Sequence, residues 1–320
     1  MRFNGTAWRT SSVKLTLKSV QKLTDQISEF NFETPADASH AWAAGSHVEL
    51  ETSAGLRSYS LIRWPNETID QFRFAVKCEH SGTGGSQAMH HLRGGDVINA
   101  KDVRNNFELV DQSCPILLLA GGIGITPIIS MAAELHEQNR PFQIHYAARN
   151  AQSAAYATEL QQHFGDRFHL YLDDTNPIKL NEVITTNSDH AFYICGPQGM
   201  INAARSLAEN VQIPASKIHV ELFANTEGES GNTPFEVEIA STDQIVSVAA
   251  NQTIIEALEE AGVDVMYDCQ RGDCGICATD VIAGVPDHRD VVLSEAERSS
   301  NSVMQICVSR ALSERLVLDL

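Results

Sequence analysis

Three rhythms of hydrophobic and polar residues follow one another along the chain. Up to about Leu109, apolar and polar residues alternate over short runs, most clearly in Val13–Val20, His47–Glu51 and Phe72–Val76. A period of two marks strands with one buried face. Pro35, Gly45, Gly55, Pro65, the Gly82–Gly85 cluster and Gly94-Gly95-Asp96 break these runs. Short strands punctuated in this way predict an antiparallel β-barrel over residues 1–110. From about Ser113 the rhythm changes. Ile116–Ala120 is a continuous apolar run suited to a buried strand, and Pro127–Gln138 reads as a helix after a glycine turn. Further strands are expected at Phe142–Ala147, Phe168–Leu172 and Ala191–Cys195, and a helix over Met200–Asn210. Such alternation predicts an α/β domain over 111–225, a parallel sheet with helices on its faces. Residues 226–232 have no periodicity and read as a linker. In 233–320, strands are expected at Phe235–Ile239 and Ile245–Val248. A helix is expected over Thr253–Ala261, with Thr253 as N-cap and Gly262 just past its end, and a strand near Gln305–Ser309. No internal repeat is present.

Composition narrows the function. The 320 residues are 43% hydrophobic, ample for buried cores. No run of about 18 apolar residues appears, so no membrane span is expected. The opening Met1-Arg-Phe-Asn-Gly-Thr6 lacks the basic-then-apolar layout of a signal peptide, which leads us to expect a cytoplasmic protein. A net charge of −18 disfavours binding to a nucleic-acid backbone. Residues 233–320 hold sixteen Asp and Glu against five Arg and no Lys. That excess serves solubility or offers an acidic docking face to a redox partner. Seven cysteines in a chain without an evident export signal do not suggest a disulfide framework.

Four of them carry a specific chemistry. Cys269, Cys274 and Cys277 stand at C-x₄-C-x₂-C spacing, and Cys307 follows thirty positions later. This is the plant-type [2Fe–2S] spacing, in which soft thiolates surround two irons. Gly272 and Gly275 allow the backbone to curl round the cluster. A Cys₄ zinc site normally uses two separated Cys pairs, whereas here the fourth Cys is alone.

Two glycine-bearing turns stand at strand-to-helix junctions. In Leu117–Pro127, Gly121, Gly122 and Gly124 precede Thr126 and Pro127, a turn that lets a pyrophosphate approach a helix N-terminus. It departs from G-x-G-x-x-G because Pro127 stands for the third glycine. The second junction is Tyr193-Ile-Cys195-Gly196-Pro197. Upstream, Arg57-Ser58-Tyr59-Ser60-Leu61 offers a planar cation for a phosphate, an aromatic face and a small hydroxyl. Gly84-Gly85-Ser86 follows the strand that contains Val76 and Lys77. His90 and His91 read as surface histidines.

Together these motifs resemble the ferredoxin–NADP⁺ reductase superfamily, in which GGxGxTP and CGP mark the nicotinamide domain and RxYS the flavin site. Their order along the chain resembles the phthalate dioxygenase reductase family, including vanillate O-demethylase reductases. The resemblance covers almost the whole chain, and it implies a β-grasp fold for the ferredoxin domain, 233–320. It implies FMN held by Arg57, Ser58, Tyr59, Ser60, Val76, Lys77, Gly84, Gly85 and Ser86. Ser60 would lie near the flavin N5, Cys195 beside the nicotinamide, and Phe223 would close the nicotinamide domain near the flavin. Phe107 matches the end of the family's barrel. It further implies electron flow from NADH to FMN, to [2Fe–2S], and on to a Rieske-type oxygenase partner, from a monomeric reductase. Arg149, at the end of the second strand where an acid would bind a ribose, leaves NADPH open. A cytochrome acceptor, or a redox sensor that merely holds the cluster, are the alternatives.

Overall fold

A computed structural model describes residues 12–34, 42–68, 71–80, 84–110, 113–223 and 232–320. The first six residues, the turns at Pro35 and Gly82, and the linker apart from Asn232 lie outside these. The chain forms two compact units, one of residues up to Pro197 with Val211–His219, the other of Gln198–Asn210 with Val220–Leu320.

The first unit opens with six strands: β1 (Val13–Lys22), β2 (Ile27–Glu33), β3 (His47–Thr52), β4 (Gly55–Ser60), β5 (Gln71–Lys77) and β6 (Val97–Arg104). They form one sheet in the order β4-β3-β6-β1-β2-β5, antiparallel throughout. Its inner face collects Leu15, Leu17, Phe30, Phe32, Val48, Leu50, Phe72 and Phe74 into one core, the alternation seen in the sequence made physical. The edge strands β4 and β5 meet through stacked rings of Tyr59 and Phe74, 5.2 Å apart. The Ile62 N–H also donates to the Arg73 carbonyl at 2.7 Å. A short helix, α1 (Gly85–His91), follows Gly84, whose φ of 91° only glycine adopts readily. His90 is not the surface residue expected. Its Nε2 lies 2.9 Å from the Val76 carbonyl oxygen and its ring meets Phe30 edge-on, because α1 turns that side chain towards β5.

A second sheet has the order β11-β10-β7-β8-β9, from β7 (Ile116–Gly121), β8 (Phe142–Ala148), β9 (Phe168–Leu172), β10 (Ala191–Cys195) and β11 (Ile218–Glu221). β10, β7, β8 and β9 pair in parallel. Every residue of β7 is buried, as expected of a strand covered on both faces. α2 (Ile125–Glu137) buries most of its length, while α3 (Ala157–Phe164) and α4 (Leu180–Thr186) bury only two apolar residues each. The chain runs from β7 outward through β8 and β9, then returns to β10 on the other side of β7. Strand order therefore reverses between β7 and β10, the place where open α/β sheets bind ligands.

In the second unit, α5 (Gln198–Asn210) donates from Gln198 Nε2 to the Arg289 carbonyl and from Arg205 Nη2 to the Val292 carbonyl. A mixed five-stranded sheet has the order β13-β12-β18-β14-β16, from β12 (Phe235–Ile239), β13 (Gln244–Val248), β14 (Ala278–Ala283), β16 (Val303–Gln305) and β18 (Arg315–Leu318). β15 (Pro286–Asp287) and β17 (Arg310–Ala311) form a separate pair. α6 (Ile254–Glu260) buries Ile254, Ile255, Ala257 and Leu258 against the sheet. Thr253 caps it, and Glu256 reaches back to the Thr253 N–H in a reciprocal capping box. α7 (Glu295–Ser300) begins on the same device at Ser294 and Glu297. Buried Arg310 donates to the carbonyls of Gln252, Ala249 and Thr233 and lies over the Phe235 ring. The strand expected near Gln305–Ser309 is instead the end of β16 and a turn, with the Ser309 N–H donating to the Gln305 carbonyl. Cys307 sits in that turn, where a strand would have pointed it to the face opposite its two neighbours.

Candidate functional site

The cysteine loop joins α6 to β14. Gly272 (φ 78°) and Gly275 (φ 79°) take left-handed conformations in it. A Cβ on Gly272 would lie 2.6 Å from a Val308 methyl and 3.0 Å from the Asp290 Cα, so this glycine is demanded by crowding as well as by φ. Side-chain contacts link the four thiols in a chain, Cys274 to Cys269, Cys269 to Cys307 and Cys307 to Cys277. Hydrogen bonds from Cys274 and Cys307 hold the Cys269 thiol far below its ordinary range, with burial opposing, and the same contacts raise Cys274 and Cys307. None of the seven cysteines is in a disulfide. The Arg271 N–H donates to the Cys269 sulfur at 3.3 Å, as an amide aimed at a cluster thiolate would. Among the described residues no three His, Cys, Asp or Glu side chains close on a single ion. A two-iron cluster does not ask for this, since it divides four thiolates between two metals. Cys277 and Cys307 are buried whereas Cys269 and Cys274 are partly exposed, so the loop presents its outer edge through the latter pair. The residues fit a [2Fe–2S] cluster.

Arg271 and Asp273, between the first two of these cysteines, turn inward. Their side chains are 16% and 3% exposed, and they meet Glu221, which is 1% exposed. Burial pushes the Glu221 carboxyl up to about 8 and that of Asp273 up to about 7, with Arg271 opposing both shifts. The Leu222 N–H donates to Asp273 Oδ2 at 2.9 Å, and half-buried Phe223 follows directly. None of these three charged residues was singled out from the sequence. The available signal was two opposite charges among the cysteines and glycines of the loop, which otherwise holds only Gln270 and Ile276.

The two glycine turns meet at the strand-order reversal. Cys195 and Ala120 are paired in register across β10 and β7. A Cβ on Gly124 would stand 2.2 Å from the Cys195 carbonyl oxygen and 2.8 Å from the Gly196 nitrogen. Gly122 (φ 56°) faces open space, leaving room above the turn. Gly121 ends β7, Thr126 is buried with its hydroxyl donating to the Ile123 carbonyl, and Pro127 lies in the first turn of α2. A proline there removes an N–H that the helix does not use. Cys195 is fully buried. Backbone amides at this junction suit an anionic nucleotide.

On β4, Arg57 and Tyr59 share one face and Ser58 and Ser60 the other. Ser58 is exposed and Ser60 buried. Burial raises the Tyr59 hydroxyl to about 12, so it stays protonated and able to donate. The Arg57 side chain crosses Gly85, where a Cβ would meet its Nε at 2.4 Å. Gly85 therefore clears a cradle for the guanidinium at the start of α1, and the Ser86 hydroxyl accepts from the Glu79 N–H. Val76 is buried on β5, and Lys77 pairs with Glu79. These residues fit a flavin phosphate. The next segment is tied to α2, since the Ser130 hydroxyl donates to the Leu61 carbonyl at 2.7 Å and accepts from the Arg63 N–H at 2.9 Å. Ser130 was not foreseen, because a serine inside a helix carries no signal of a partner 69 residues away. Phe107 is buried, and its ring tilts against Tyr193 at 5.7 Å.

Known proteins match this arrangement. The 2Fe-2S iron–sulfur cluster binding domain family matches residues 237–312, and the oxidoreductase NAD-binding domain family matches 118–206. The phenoxybenzoate dioxygenase subunit beta of Ectopseudomonas oleovorans is 38% identical over 315 residues, covering 96% of this chain and 97% of its own length. The heme-dependent oxidative N-demethylase beta subunit of Ectopseudomonas mendocina is 37% identical over 306 residues, covering 94% and 97%. Among solved structures, phthalate dioxygenase reductase, described as a modular structure for electron transfer from pyridine nucleotides to [2Fe-2S], superposes with a TM-score of 0.72 at 31% identity. That match covers 97% of this chain and 98% of its own.

Proposed function

Because the chain belongs to the phthalate dioxygenase reductase family, we propose that it is an NADH-dependent reductase. It passes electrons from NADH through FMN and a [2Fe–2S] cluster to a Rieske, non-haem-iron oxygenase. The observation that carries this reading is the junction where Gly124 abuts Cys195 and Gly196 at the ends of β7 and β10. A redox sensor that only held a cluster would have no use for it.

In this reading residues 1–110 hold FMN, 111–225 hold the nicotinamide nucleotide, 226–232 link, and 233–320 hold the cluster. Arg57, over Gly85, takes the flavin phosphate with the amides of Gly84, Gly85 and Ser86. Tyr59 supplies an aromatic wall, and Ser58, Val76 and Lys77 complete it. Ser60 would offer a small donor or acceptor near the flavin N5. Gly121, Gly122, Gly124, Thr126 and Pro127 receive the nucleotide phosphates, and Cys195, Gly196 and Pro197 the nicotinamide. Phe223 would close the nicotinamide domain near the flavin, as the matching aromatic does in the family. Cys269, Cys274, Cys277 and Cys307 hold the cluster. When bound, the flavin accepts a hydride and releases electrons singly to the cluster. The protein's part is to hold these groups in place and exclude water. Among the described residues no helix is long and apolar enough to cross a membrane, and we place the protein in the cytoplasm as a monomer.

The second reading keeps the same electron chain and changes the acceptor to a haem protein. It is favoured by the haem-dependent relative, which is nearly as similar as the dioxygenase subunit. NADH-driven reduction of cytochrome c by the FMN-loaded, cluster-loaded protein tests the enzyme itself. Turnover with NADH exceeding that with NADPH is expected, and no turnover with either would sink the reductase reading. The adjacent gene separates the acceptors, since a Rieske subunit carries C-x-H…C-x₂-H and a haem protein does not.

A further inference from the structure

Glu221, Arg271 and Asp273 form a charged group that stability alone does not explain. All three side chains are withdrawn from water, with Arg271 Nη2 3.6 Å from Glu221 and Arg271 Nε 3.5 Å from Asp273. One cation stands between two carboxylates, an arrangement whose desolvation usually costs as much as its attractions return. Among the described residues, neither carboxylate oxygen of Glu221 has a hydrogen-bond partner. Two members belong to the stretch between Cys269 and Cys274, and Asp273 also accepts the Leu222 N–H at 2.9 Å. The network therefore ties the cluster loop, at two points, to the backbone and side chain of the segment that ends in Phe223.

We infer that Arg271, Asp273 and Glu221 are positioning residues for the flavin-to-cluster electron step, fixing the cluster loop against the Glu221–Phe223 segment and setting the cluster's potential with two opposed charges. The step moves one electron from the reduced flavin to the oxidised cluster, with no bond made or broken. The inference rests on the reductase reading above. Fixed charges this close act through a water-poor medium, so each biases the reduced cluster by its sign. The negative charge of Asp273 disfavours an added electron and the positive charge of Arg271 favours it. A residue that merely filled space would have no such signed effect.

The test uses the full chain loaded with FMN and cluster, in Asp273→Asn, Arg271→Gln, Arg271→Lys and the double variant Glu221→Gln/Arg271→Gln. Iron content and the visible spectrum establish loading, and the cluster midpoint potential is read by redox titration followed by electron paramagnetic resonance. Asp273→Asn is expected to raise the potential and Arg271→Gln to lower it, with Arg271→Lys close to the parent. Stopped-flow mixing with NADH is expected to show flavin reduction unchanged and flavin-to-cluster transfer slowed about tenfold or more in Arg271→Gln. The double variant, which removes the buried Glu221 carboxyl that Arg271→Gln strands without its cation, should recover much of that rate. Shifts of the same sign in Asp273→Asn and Arg271→Gln, or potentials and rates equal to the parent, would overturn the inference. If Arg271→Gln loses its cluster, Asp273→Asn alone decides: a potential raised above the parent supports the inference, and one unchanged or lowered overturns it. Failure of the parent protein itself to pass electrons from NADH to the cluster would instead defeat the reductase reading.

Discussion

A methyl group on Gly124 would have to occupy space 2.2 Å from the Cys195 carbonyl oxygen. Both partners are backbone at the ends of buried parallel strands, so no rotamer change can relieve the clash. Overpacking of this kind costs about 1–3 kcal/mol, and the strain falls where the glycine turn after β7 meets Cys195. Gly124→Ala is expected to weaken NADH-driven flavin reduction by roughly ten- to a hundredfold, read as the NADH dependence of the stopped-flow rate. Gly122→Ala is the useful comparison, because its Cβ would meet nothing. There only the left-handed φ of 56° resists, at a cost of about 1 kcal/mol. If the two variants behave alike, close approach to Cys195 is not what Gly124 provides. The glycines themselves were evident in the sequence. Which of them is crowded and which is open was not, because the crowding atom lies 71 positions away.

At the scale of elements, β8 carries a titratable device of its own. His145 is buried in the parallel sheet, with Nδ1 3.0 Å from the Tyr171 hydroxyl, Nε2 3.1 Å from Gln143 Oε1, and the His169 ring 4.8 Å away. Burial, and then the neighbouring His169, lower its pKa from 6.5 to about 4. A histidine depressed in the fold is bound neutral, so its contribution is complete above about 6.5. It is lost as the pH falls towards 4, where the unfolded chain takes up the proton first. Between pH 7 and pH 5 the first unit should lose about 2 kcal/mol through this group. Denaturant unfolding at the two pH values, compared with His145→Gln, checks this; a variant with the same pH dependence as the parent would rule it out. The strands of this sheet were legible because continuous or alternating apolar runs have few other readings. α3 and α4 were not, since each buries two apolar residues and shows no sustained period. The capping boxes at Thr253 and Ser294 were present as T-x-x-E and S-x-x-E, and only the first residue of one was read. The turn at Cys307 was mistaken for strand because Val303–Gln305 does begin one, and the demand for a turn comes from cysteines thirty and more positions earlier.

For the whole molecule, the order of electron flow is the claim most open to contradiction. The proposed flavin cradle at Arg57 and Gly85 and the proposed nucleotide junction at Gly124 and Cys195 lie in the first compact unit, and the four-cysteine loop lies in the second. Each group could be read locally, as a spacing or a glycine turn, but what joins pieces such as Glu221 and Arg271 is side-chain contact that no period records. If the cluster is the outlet, damage to it must leave the earlier step alone. Cys274→Ser replaces a soft thiolate with a hydroxyl, a poor ligand for a cluster iron. Cys274 is one of the two partly exposed cysteines of the four and its backbone is followed by Gly275 rather than buried core, so the change should spare the surrounding fold. NADH is expected to reduce the flavin of this variant at the parent rate, while reduction of cytochrome c and of the oxygenase partner is lost. Loss of flavin reduction to the same degree, in a folded variant shown to hold FMN, would place the cluster ahead of the flavin or make the two inseparable. Retention of cytochrome c reduction with the cluster gone would put the outlet at the flavin itself.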